Sequence, residues 1–142
     1  MSNETTLADL ARERYISVTT FRRDGSEAST PVWVVSDEPH RLLVATGADT
    51  WKVRRIKRNA HVRVAGCSAR GKVHGETVEG KARLVDEEEL VRRLQYEKYG
   101  CQKRLIEGTY RLYLRLTKKQ RAPEVFIEIT PREELVELHH AA

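Results

Sequence analysis

The feature that most constrains this chain is a pair of alternating stretches around one tight-turn signal. YISVTTF (15–21) and ASTPVWVV (28–35) flank RRDGSE, and Asp24-Gly25 inside it is the strongest short-range hairpin signal in the sequence. Ile16 and Val18 fall on one face of the first stretch, as a half-buried strand requires. Pro31 has no N–H to donate, so the return strand needs a sheet edge or a ladder gap at that position.

Four more stretches read as strands. RLLVAT (41–46) is the third and HVRVAGC (61–67) the fourth, with Val62 and Val64 inward. TVEGKARLV (77–85) is the fifth, with Val78, Gly80, Ala82 and Leu84 opposite Glu79, Lys81 and Arg83. PEVFIEIT (123–130) is the sixth. SDEPH, after the second strand, reads as a turn. Short helices fill the gaps: one within 5–13, and one from Asp86, with Glu89 as its capping-box partner, to a stop at Gly100. Residues 101–121 are basic, interrupted by Gly108, and open between helix and loop. The expected fold is mainly β (α+β): six antiparallel strands with short flanking helices, closed into a small barrel that removes the sheet edges.

The 142 residues suit one domain, 1–142, with one core. No apolar run approaches 18 residues, so no membrane partner is expected. The start, MSNETTLADLARER, lacks the apolar centre of a signal peptide, which implies a cytoplasmic location. Cys67 and Cys101 form no CxxC, so idle or buried thiols are expected and no metal site.

GADTWKVRRIKRN (47–59) packs five basic residues behind Asp49. Asp49 or Thr50 can cap a helix here, Val53 and Ile56 share a face, and Asn59 can close it. A helix start carries unpaired N–H groups and partial positive charge, which suits one phosphate. Thr46, Gly47 and Thr50 surround that end, and Lys52 stands in the first turn. A solvated charged face is the alternative for the same residues. The net charge of +5 does not decide between nucleic acid and a small polyanion. Strand-binding proteins need exposed stacking aromatics, yet the chain is only 6% aromatic, so no nucleic-acid partner is expected.

Four segments in this order, YISVTTFRRDGSEASTPVWVV, LLVATGADTWKVRRIKRNAHVRVAGC, TVEGKARLVD and YEKYG, resemble the pyridoxamine-phosphate-oxidase-like flavin/deazaflavin split-barrel superfamily. Within it the chain is most similar to the branch of coenzyme F420-dependent enzymes. The resemblance implies a homodimer with cofactor at the subunit interface and a small-molecule substrate. It implies that Thr30, Pro31, Val32 and Trp33 line the tricyclic ring, and that Thr46, Thr50 and Lys52 cradle the phosphate. Trp51-Lys52 stands where the oxidases carry Arg-Lys, which favours F420 over FMN as cofactor. The poly-glutamate tail of F420 would gain from Arg55 and Lys57, while Arg54 and Arg58 are left to solvent. The function implied is a reductase moving hydride between deazaflavin and an unsaturated or quinone-like molecule. An FMN-binding oxidoreductase and a carrier without turnover are the alternatives. No catalytic side chain is assigned. His61 reads as structural, His74 stays open as a proton donor, and Glu79 and Glu128 read as barrel-surface or interface residues.

Overall fold

The computed structural model describes residues 5–117 and 123–131, without the side chains of Cys101 and Lys103. The expected basic stretch 118–121 therefore lies outside the described residues, as does the expected role of the Cys101 thiol. The element order is α1 (Leu7–Leu10), β1 (Tyr15–Phe21), β2 (Glu27–Val32), β3 (Val35–Glu38), β4 (Arg41–Gly47), α2 (Trp51–Arg58), β5 (His61–Cys67), β6 (Val78–Val85), α3 (Glu88–Thr117) and β7 (Glu124–Pro131).

All strands join one antiparallel sheet in the order β2-β1-β5-β6-β7-β4-β3. Among the described residues there are seven strands rather than the expected six, and the sheet is not closed. The expected strand 28–35 breaks at Trp33-Val34, and SDEPH gives its first residues to β3. The cause lies 65 residues along the chain. Val34 donates its N–H to Tyr99 Oη at 2.9 Å, and its carbonyl accepts from Lys98 Nζ at 2.6 Å and shares the single Tyr99 hydroxyl proton, at 3.0 Å, with the Arg14 carbonyl. Both backbone groups are thus satisfied by α3 side chains, and a ladder cannot run through this residue.

β2 and β3 consequently form the two edges, yet only Trp33 and Val34 separate them. Three residues of chain reach at most about 11 Å, so the sheet must roll until its edges approach at that point. Pro31 sits in the edge strand β2, opposite Ser17, where its missing donor faces no neighbour.

Strand alternation divides the core in two. Ile16, Val18, Leu42, Val44, Val62, Val64, Ala82, Ile127 and Ile129 point inward, joined by Leu7 and Leu10 of α1 and Ile56 of α2. The other face of β3, β4 and β7 presents Val35, Leu43 and Phe126 to Val91 and Tyr99 of α3. Thr6 caps α1 in a reciprocal box with Asp9. α3 begins at Glu88, two residues past the expected Asp86 cap, and continues beyond the expected stop. Gly100 interrupts it with φ 45° and ψ −114°, after which the chain resumes a helical path to Thr117. The open stretch 101–117 is therefore helical.

Candidate active-site cleft

Pro31, Val32 and Trp33 form one wall of a cleft of about 670 Å³. Ala45 and Gly47 on the outer face of β4 form its floor, and Tyr15 and Ala69 close one side. The opposite wall is α3, through Arg92, Gln95, Ile106, Glu107 and Tyr110, and Pro123 with Glu124 at the start of β7 complete it. This volume lies within the range of about 300–1,000 Å³ usual for small-molecule sites.

Trp33 is held flat. Its ring stacks on Tyr99 with centroids 4.1 Å apart and planes 10° from parallel. Tyr99 in turn is fixed by bonds to Val34 and to the Arg14 carbonyl at 2.8 Å. Burial, against the bond to Val34, pushes the Tyr99 hydroxyl up to about 12, so it stays protonated across the working range. Lys98, beside it, donates to the carbonyls of Ala11, Glu13 and Val34 and ties α1 to the β2–β3 break.

The expected phosphate residues separate from one another. Gly47 reaches the cleft, and a Cβ there would stand 3.3 Å from Thr50 Cγ2, so the strand end passes close under the helix start. Thr50 is the N-cap of α2: its hydroxyl accepts from Val53 N–H at 3.5 Å and donates to the Gly47 carbonyl at 3.0 Å. Thr46, one position from Gly47, points to the opposite face of β4, where its hydroxyl accepts from Lys52 Nζ at 3.2 Å. Lys52 is only 9% exposed, and burial lowers its pKa. Asp49 is not the cap, and the first-turn N–H groups of Trp51 and Lys52 have no partner within the helix.

Thr30 lies exposed on β2, outside the cleft lining. Trp51 is 65% exposed, outside the cleft, and lines a second concavity with Arg22, Arg23, Arg54, Arg55 and Arg58. The Arg54 guanidinium stands 4.7 Å over its ring. The β1–β2 turn thus adds two arginines that linear reading did not connect with α2.

The histidines stand apart. His61 bonds Glu79 and stacks on Phe21 at 4.9 Å, which is a structural role. His74 faces Glu13 at 3.5 Å and does not line the cleft. Glu79 also takes Arg63. Glu128 is buried rather than on the surface, accepting from Arg83 at 2.6 Å and Arg41 at 2.9 Å. Cys67 is a buried free thiol. Among the described residues, no His/Cys/Asp/Glu group is suited to a metal, and no helix is long and apolar enough to cross a membrane.

An open antiparallel sheet rolled around a core, with a cleft between its edge strand and a flanking helix, is the setting for the comparison with known proteins. The sequence profile of the pyridoxamine 5'-phosphate oxidase family matches residues 3–136, almost the whole chain. The chain belongs to this family. It is thereby a member of the flavin/deazaflavin-binding split-barrel superfamily that the sequence resembles. No curated protein matches it. Solved structures with the same fold include an F420 reductase, 18% identical with TM-score 0.54, over 92% of this chain and 95% of that one. A FAD-binding protein from Mesorhizobium loti is 16% identical with TM-score 0.55, over 87% and 82% of the two chains. The heme storage protein HutZ from Vibrio cholerae is 14% identical with TM-score 0.57, over 85% and 83%. At these identities the likeness is one of fold.

Tyr15, Arg92, Gln95, Glu107, Tyr110 and Glu124 are cleft residues that the sequence did not single out. Glu107 and Tyr110 fall in the stretch 101–121 that the sequence left open between helix and loop, and the structure makes 101–117 helical.

Proposed function

We propose that this family member is a coenzyme F420-dependent oxidoreductase. It moves a hydride between the deazaflavin and an unsaturated or quinone-like small molecule, as a cytoplasmic homodimer with the cofactor at the subunit interface. The observation that carries this reading is the wall formed by Pro31, Val32 and Trp33. It is an edge strand with an open backbone side, ending in an indole locked flat by Tyr99, beside a cleft of cofactor size.

A planar tricyclic ring fits such a wall. Backbone groups at the open edge of β2 can bond its polar rim, and Trp33 gives it an apolar border. The phosphate belongs at the start of α2, where the first-turn N–H groups of Trp51 and Lys52 lack an intrahelical partner and Gly47 stands close to the cap residue Thr50. Lys52 would supply the charge by turning its ammonium from Thr46 toward that end, and Thr50 acts there chiefly as the cap of the helix. Thr30 is left for the partner-facing side of the edge strand. The guanidinium cluster around Trp51 favours a cofactor with carboxylates beyond its phosphate, which supports F420 over FMN. When bound, the deazaflavin supplies the hydride; the chain's own residues orient the two reactants and exclude water.

The dimer reading is supported by the 101–117 helix, whose Leu105, Leu112 and Leu116 are exposed at heptad-like spacing. A second copy packed on them would bury this stripe. The testing experiment is anaerobic mixing of the protein with reduced F420 and menadione. Reoxidation of the coenzyme, followed by its absorbance and dependent on protein concentration, is the expected result. A rate no greater than without protein would contradict the enzyme reading.

A further inference from the structure

We infer that Tyr15 is the proton donor to the acceptor in the cleft, and that Arg14 and Gln102 set its hydroxyl for that task. The inference rests on the reductase reading and adds to it the catalytic side chain that the sequence left unassigned.

Arg14 has only N–H groups to offer, and it places two of them on Gln102 Oε1, from Nε at 3.2 Å and Nη2 at 2.7 Å. That fixes the amide: its oxygen must face Arg14, so its nitrogen faces the other way. Gln102 Nε2 lies 3.1 Å from Tyr15 Oη and can only donate to it. The phenol oxygen is thus the acceptor of this bond, and its own proton is left to bond elsewhere. Tyr15 lines the cleft. The ladder pairs Ile16 with Val32, so Tyr15 stands beside the β2–β3 break, next in register to Trp33.

The fold builds this relay on purpose-shaped backbone. Gly100, with its positive φ, redirects α3 two residues before Gln102, which lets the amide reach back to the start of β1. Arg14 is further fixed over the Tyr99 ring at 5.3 Å, the same ring that holds Trp33. One aromatic therefore orients both the ring wall and the proton relay.

A deazaflavin bound at the cleft would supply a hydride to one end of the acceptor's conjugated system. At the other end, an oxygen or the adjacent carbon takes the proton from Tyr15 Oη, and the O–H electron pair stays on the phenolate. The Gln102 N–H bond stabilises that charge as it develops, and water returns the proton. The acceptor would gain two hydrogens, one as hydride from the bound coenzyme, which would be oxidised, and one as the proton from Tyr15 Oη.

Two variants test this, Tyr15→Phe and Gln102→Glu, in the full chain loaded with F420. The second keeps the shape and the contact to Arg14 but replaces the amide N–H with a carboxylate oxygen, which draws the Tyr15 proton away from the cleft. The first readout is the infrared carbonyl stretch of menadione bound to the protein with oxidised F420. A downshift in the wild type that is absent in both variants is expected; identical stretches in all three overturn the inference. The second readout is turnover with reduced F420 in H₂O and D₂O. Both variants should fall about 100-fold with a lost solvent isotope effect, while F420 affinity changes less than twofold. Unchanged turnover overturns the inference. Absence of turnover in the wild type contradicts the reductase reading alone, because the carbonyl stretch still decides the bond from Tyr15.

Discussion

Lys52 Nζ donates to Thr46 Oγ1 at 3.2 Å from a side chain that is nearly buried, at the first turn of the most basic helix in the protein. An ammonium with three protons and a single hydroxyl partner is poorly compensated for its lost hydration, and its pKa is lowered accordingly. Under the proposed function, a cofactor phosphate would supply what is missing.

Lys52→Ala should therefore weaken cofactor binding by about 1–3 kcal/mol, the usual cost of a lost charge-assisted bond. Titration of the variant beside the wild type measures it. The lowered pKa adds a direction: as pH rises, wild-type affinity should fall earlier than an ordinary exposed lysine would allow, and the variant should lack that fall. Affinity unchanged by the substitution would remove Lys52 from the site.

Glu128 is the second buried charge, held between Arg41 and Arg83 on the outer face of β7. Burial works to raise its pKa, but the bonds from Arg83 and Arg41 outweigh it and hold the carboxyl below the usual range. A depressed folded pKa stabilises the fold above the unfolded value, about 4.3, and that contribution is lost as pH falls through the folded value. Glu128→Gln should cost about 1–3 kcal/mol at neutral pH, the range for a lost charge-assisted hydrogen bond, since Arg41 keeps Asp37 and Glu87 as partners. Urea unfolding at neutral pH and below pH 4 should show the gap to the wild type closing in acid. A gap independent of pH would assign the loss to packing.

Gly100→Ala separates backbone from packing. A Cβ at this position meets nothing within 4 Å, so any cost comes from the conformation at φ 45° alone. Strain of this kind costs about 1–3 kcal/mol. The urea midpoint should drop accordingly. If it does not move, the kink is not a fixed element of the fold.

Much of this architecture was written locally. Asp24-Gly25 makes the β1–β2 hairpin, where Arg22 and Ser26 close the turn at 2.9 Å, and Pro31 marks the edge strand. The alternation in β1 and β5 put the right side chains inside, whereas in β6 Ala82 is buried but Leu84 of the same expected face is exposed. The break at Trp33-Val34 was not legible, because VWVV is an unbroken apolar run and the groups that end the ladder are Lys98 and Tyr99. The open sheet follows from the same break. At the site, the strand wall could be named from one contiguous motif. The α3 wall and the relay through Gln102 could not, since they depend on how far the helix continues past Gly100. The basic residues around Trp51 were visible on α2 alone; Arg22 and Arg23 joined them only through the fold.

The proposed deazaflavin site spans the cleft beside Trp33 and the start of α2. The most direct measurement is a pair of fluorescence titrations of the purified protein, one with coenzyme F420 and one with FMN. Saturable F420 binding at least tenfold tighter than FMN, lost on Trp33→Ala, is the result predicted here. Tighter binding of FMN, or binding of neither, would contradict it.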